Sequence, residues 1–93
     1  MNRIPKIKNV QTKNDYHLII KFDNNSFKEY DCQQLFHRPE FKPLLNKAFF
    51  RSVKVDSGGY GVSWNDDIDI SEYELWINGK DIKDENKVSK QIC

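Results

Sequence analysis

Five carboxylates (Asp66, Asp67, Asp69, Glu72 and Glu74) crowd between Trp64 and Trp76, just after the glycine-rich stretch Ser57-Gly58-Gly59-Tyr60-Gly61. Side chains of this kind at this density could ligate a metal ion or perform acid–base catalysis. A calcium loop needs oxygen ligands at alternating positions, a glycine at its sharp turn and a late bidentate glutamate. Asn65-Asp66-Asp67-Ile68-Asp69 lacks that glycine, and Ile68 and Ile70 stand where a solvated loop would carry polar groups. Ser71-Glu72-Tyr73-Glu74 fits a capping box instead, in which the Ser71 hydroxyl and the Glu74 carboxylate each satisfy a backbone N–H of the other residue. Glu72 and Glu74 also face the positive end of the helix dipole. The cluster therefore reads as an acidic seam between a strand and a helix, with Ser71 and Glu74 as structural caps.

The other chemical candidates are weaker. Phosphate-binding glycine loops need defined spacings between a strand and a helix. Gly58-Gly59-Tyr60-Gly61 joins two strand-like runs, with no Gly-Lys-Ser/Thr after it, so a hairpin turn is the better reading. His17 and His37 have no histidine, cysteine or carboxylate at metal-ligand spacing. Cys32 and His37 are the one nucleophile–base pair close in sequence, and nothing in the sequence brings the two side chains together. No catalytic residue, metal or cofactor is expected, and the protein reads as a non-enzyme.

Two features suit contact with another molecule. Arg3, Lys6, Lys8 and Lys13 make the N-terminal segment basic. Such lysines could touch phosphates, and they also discourage unwanted pairing at an edge strand. Trp64 and Trp76 stand out because tryptophan is enriched at binding hot spots. Trp64, Trp76, Lys6 and Lys8 are accordingly the candidate partner-binding residues.

These residues must be positioned by a chain of 93 residues, enough for one modest core. Aromatic residues make up 13% of it, so Phe, Tyr and Trp are expected to supply much of the buried area. A net charge of +1 gives no field to attract a polyanion, which argues against nucleic acid as a direct partner, though a local basic patch stays open. No apolar run reaches membrane-spanning length, and Met1-Asn2-Arg3-Ile4-Pro5-Lys6 lacks an apolar signal core, so the expected location is the cytoplasm, away from membranes. Cys32 reads as a small buried hydrophobe and Cys93 as a mobile thiol.

Ile7–Thr12 reads as an edge strand, and Asn14-Asp15 as a turn. Tyr16, Leu18, Ile20 and Phe22 alternate with polar or outward positions, the mark of a strand with one buried face. The turn Asp23–Ser26 and the returning run Phe27–Asp31 close a hairpin. Asp31 can cap a short helical turn through Leu35 and Phe36. Pro39 and Pro43 restrict the next segment to short helical pieces anchored by Phe41, Leu44, Leu45, Phe49 and Phe50. Val53 and Val55 begin a second hairpin, with Tyr60–Trp64 as its partner. Ser71 then starts a helix that stops at Asn78-Gly79. The expectation is an α+β domain over residues 1–79, a small antiparallel sheet built from two hairpins with short helices packed on it. Residues 80–93 read as a charged C-terminal tail, frayed helix or disordered.

The order of these segments resembles the small bacterial domain of unknown function 2442 family. The resemblance rests on Ile4-Pro5-Lys6-Ile7, Tyr16–Asp23, Tyr30-Asp31, Phe41-Lys42-Pro43-Leu44, Phe49-Phe50, Val53-Lys54-Val55-Asp56, Val62-Ser63-Trp64-Asn65 and Asp69-Ile70 near Glu74-Leu75-Trp76. Trp76 replaces a usual tyrosine, and Trp64-Asn65 a frequent Trp-Pro. The resemblance implies a compact α+β domain that acts as the antitoxin side of a toxin–antitoxin pair, binding and masking a small protein toxin. The helix-turn-helix domain that some relatives append has no room after Gly79. A sheet edge, or Trp76 with the tail beyond it, would dock the partner. The alternative is a small-ligand or single-stranded nucleic-acid binding domain using sheet aromatics as a stacking platform. Homodimerisation through a sheet edge is also open to so small a domain.

Overall fold

A computed structural model describes residues 4–82. Its first strands follow directly from the alternation in the sequence. β1 (Ile7–Lys13) pairs antiparallel with β2 (His17–Phe22), and β2 with β3 (Phe27–Asp31). Leu18, Ile20 and Phe22 point inward and are fully buried. Asn25 holds the left-handed conformation of the β2–β3 turn at φ 70°, and the Asn24 side chain accepts hydrogen bonds from the Ser26 backbone and hydroxyl. That is the local chemistry expected of this turn.

Between β3 and the next strand the prolines keep the helical pieces short, as expected. Asp31 caps the 3-10 turn Cys32–Leu35 by accepting from Gln33 N at 2.8 Å. A second 3-10 segment, Pro39–Leu45, begins with proline in its first turn. Helix α1 (Lys47–Phe50) is capped by Asn46, which accepts from Phe49 N at 3.0 Å. Phe41, Leu44 and Phe50 enter the core, but Leu45 does not: it is 48% exposed. The tighter 3-10 winding puts successive residues a third of a turn apart, so Leu44 and Leu45 cannot share the inner face.

The second hairpin forms from β4 (Lys54–Val55) and β5 (Gly61–Ser63), and a further strand, β6 (Asp69–Ser71), extends it. Helix α2 (Glu72–Asn78) follows immediately and Gly79 ends it, as expected. The expected antiparallel α+β domain is what forms, with its two hairpins in separate sheets. One has four strands in the order β1-β2-β3-β7, with β7 formed by Lys80–Ile82, the other three in the order β4-β5-β6.

Strand β7 (Lys80–Ile82) corrects the expected boundary at Gly79. Lys80, Asp81 and Ile82 pair antiparallel with Glu29, Lys28 and Phe27, and Lys28 Nζ meets Asp81 Oδ1 at 2.9 Å. These residues are part of the sheet, neither frayed helix nor loose tail. The rest of the tail, with Cys93, lies outside the described residues, as does Arg3.

One core serves both sheets. Leu18, Ile20, Phe22 and Tyr30 from the first meet Val62, Trp64 and Ile70 from the second, with Phe41, Leu44, Phe50, Ile68 and Leu75 closing the space. Cys32 is fully buried, and burial pushes its thiol up to about 12, which keeps it protonated and unreactive.

Candidate interaction surface

Each carboxylate of the seam that is paired has a structural partner. Asn65 Oδ1 accepts from Asp67 N at 2.8 Å and Ile68 N at 2.9 Å, closing the turn that lets both isoleucines, Ile68 and Ile70, reach the core. Ser71 Oγ accepts from Glu74 N at 3.1 Å, the cap the sequence announces. The reciprocal half of the capping box is absent, because the Glu74 carboxylate accepts from the Tyr30 hydroxyl at 2.6 Å. Glu72 pairs with Lys6, whose ammonium also lies 4.4 Å from the centre of the Tyr60 ring. Among the described residues, no three histidine, cysteine or acidic side chains are arranged to hold a metal ion.

A second polar cluster was not legible from local spacing. On the outer face of the first sheet His17 Nδ1 lies 2.6 Å from Glu29 Oε2, and Nε2 lies 3.6 Å from Asp31 Oδ1. An ionised carboxylate only accepts, so Nδ1 carries a proton and donates it to Glu29. Lys13 Nζ approaches the same carboxylate at 3.3 Å. Burial alone would raise the Glu29 pKa, but the hydrogen bonds from His17 and Lys13 outweigh it and hold the carboxyl below its usual range. A cavity of about 240 Å³ opens beside His17, Glu29, Asp31 and Lys80. The signal that could have found this cluster is hairpin register: the β2–β3 ladder is centred on Asn24, and that register sets His17 opposite Asp31.

The tryptophans part company. Trp64 is 5% exposed, stacks on Phe50 with ring centres 6.0 Å apart, and donates its indole N–H to the Phe50 carbonyl at 2.8 Å. It is a core residue, unavailable to a partner. Trp76 is half-buried, edge-on to Phe22 at 5.0 Å, with Lys28 Nζ 4.5 Å from its ring centre. Lys6 is half-buried in its pair with Glu72, and Lys8 is exposed on β1.

Trp76 has neighbours that the sequence did not single out. Tyr73 and Ile77 lie one turn apart on the outer side of α2, 59% and 54% exposed. Tyr60, 61% exposed, abuts the first turn of the helix, where its carbonyl accepts from Glu72 N at 2.9 Å. Leu75 on the opposite side of α2 is fully buried, so the helix turns one apolar face to the core and another outward. Tyr60, Tyr73, Trp76 and Ile77, flanked by Lys6 and Glu72, form the candidate interaction surface. Four large apolar residues around one short helix exceed the single scattered exposures that need no explanation. On the outer face of the first sheet, by contrast, Phe27 is the one aromatic residue among those described, because Phe22 and Tyr30 point into the core.

The family model described as protein of unknown function (DUF2442) matches residues 7–81. No curated protein and no solved structure matches the chain. No helix of the described residues is long and apolar enough to cross a membrane.

Proposed function

The chain belongs to the DUF2442 family, and from that premise we propose that it is a non-enzymatic interaction module, the antitoxin side of a toxin–antitoxin pair, which binds and masks a small protein toxin in the cytoplasm. The observation that carries this reading is the outward face of α2, where Tyr73 and Ile77 stand more than half exposed beside Tyr60 and Trp76. Burying large aromatic side chains against a partner is a principal source of interface energy, and the charged rim of Lys6 and Glu72 would fix orientation.

Size bounds the footprint. A stable interface buries about 800 Å² on each partner. Helix α2 has seven residues and is about 10 Å long, so Tyr60 and the edge of β7, unpaired among the described residues, must contribute. A strand of the partner added to β7 would gain backbone hydrogen bonds while its side chains reached Trp76.

The test is co-expression with the small protein encoded next to this chain, the partner that the resemblance implies. Expression of that neighbour alone should arrest growth, and co-expression should restore it through an equimolar complex. A neighbour that is harmless alone, or toxic without forming a complex, would remove the antitoxin role.

A further inference from the structure

A cavity of about 440 Å³ lies between the β1–β2 turn and α1, larger than those beside the acidic seam (about 300 Å³) and beside His17. Trp76 packs at the Phe22 end of β2 and this cavity at the His17 end, so Trp76 and the cavity are separated by about 17 Å of strand. Lys13, Lys47 and Arg51 line it, with Asp15 as the single carboxylate. Three cations less one carboxylate leave two positive charges at this site, in a chain whose whole net charge is +1.

The arrangement is unfavourable without a counter-ion. Lys47 and Arg51 are four residues apart at the end of α1, a spacing at which like charges repel. Neither makes an ion pair among the described residues, and Lys13 alone is partly neutralised, by Glu29 at 3.3 Å. The wall opposite is rigid. Asp15 and Tyr16 both hold left-handed backbone, at φ 66° and 65°, an uncommon state for an aromatic residue. Tyr16 is kept there by its hydroxyl, which donates to the Leu45 carbonyl at 2.7 Å, and by edge-on packing against Phe36 and Phe50. Strain locked in by surrounding contacts next to a cavity is a recurrent feature of ligand sites.

We propose that this cavity binds the phosphoryl group of a small phosphorylated molecule. A carboxylate offers two oxygens, whereas a phosphoryl group offers three and carries up to two charges, matching one planar guanidinium and two mobile ammonium groups. The volume falls in the range of small-molecule sites, with room for an organic body beyond the phosphate. Phe50 and Tyr16 give that body an apolar floor.

The test is titration of the ¹⁵N-labelled full chain at low salt with three probes: inorganic phosphate, a nucleoside monophosphate and a short single-stranded RNA. Amide shifts confined to Lys13–Tyr16 and Lys47–Arg51, saturating at about 1 mM or below, are expected with the monophosphate. Binding should weaken at least tenfold in K47Q/R51Q, whose side chains are exposed and whose remaining spectrum should be unchanged. It should also weaken as salt is raised. Equal affinity for inorganic phosphate would assign the site to the free ion, and much tighter RNA binding would assign it to a nucleic-acid backbone. No shift with any probe, shifts elsewhere on the surface, or unchanged affinity in K47Q/R51Q would overturn the proposal.

Discussion

The Tyr30 hydroxyl donates to the Glu74 carboxylate at 2.6 Å, joining the C-terminal half of β3 to the first turn of α2 across 44 residues of sequence. It is the polar tie that fixes the helix, and with it the outward aromatic face, against the sheet. Y30F removes the donor and keeps the ring, and should destabilise the fold by about 1–2 kcal/mol in urea denaturation at neutral pH. Burial, reinforced by the hydrogen bond to Glu74, raises the Tyr30 pKa well above its usual value of 10.0. The folded state therefore keeps a proton that the unfolded chain loses above about pH 10, so this contribution is present at neutral pH and fades as pH rises past that point. The alkaline loss of stability between about pH 10 and 11.5 should be shallower in Y30F than in the unaltered chain.

Glu29 provides the acid-side counterpart. Its carboxyl is held below the usual 4.5 because His17 and Lys13 outweigh the effect of burial. A depressed folded value stabilises the protein above the unfolded pKa and is lost as pH falls through the folded one. E29Q should therefore flatten the fall in melting temperature below about pH 4.5, measured against the unaltered chain from pH 6 to 3.

The two turn glycines differ in what surrounds them. Gly59 has φ 77°, and a Cβ there would meet the Ile7 carbonyl oxygen at 2.5 Å, a backbone atom that cannot move aside. Gly58 has φ 81°, but its added Cβ would meet only the exposed Tyr60 ring. G58A should cost about 1 kcal/mol, the ordinary left-handed penalty. G59A should cost clearly more, or prevent folding, because it also pushes β1 off the β4–β5 turn. Thermal melts of both variants check the order.

How much of this was legible depends on the distance over which each feature is decided. Alternation at Leu18, Ile20 and Phe22 and the caps at Asp31, Asn46 and Ser71 rest on local chemistry, and all but the Asn46 cap could be read residue by residue. The choice of Glu74 for Tyr30 over its own capping box depends on a strand 44 residues away. The burial of Trp64 depends on Phe50, and the strand at Lys80–Ile82 has too few residues to show a period. The His17–Glu29–Asp31 cluster depends on the exact register of a hairpin already recognised, which centres on Asn24 and not on the middle of the Asp23–Ser26 turn. The outward face of α2 could not be read, because exposed Tyr73 and Ile77 look in sequence like the buried Leu75 beside them.

The direct measurement is affinity for the co-expressed neighbour, by calorimetry, of the unaltered chain, Y73A/I77A and K8A. Tyr73 and Ile77 are exposed, so their truncation should leave the melting temperature nearly unchanged. Removing two hot-spot side chains should weaken binding by about 2–4 kcal/mol, roughly 30- to 1,000-fold, whereas K8A should change it by less than about threefold. An unchanged affinity in Y73A/I77A, with the complex still formed, would place the contact elsewhere and contradict the assignment of α2 as the docking face.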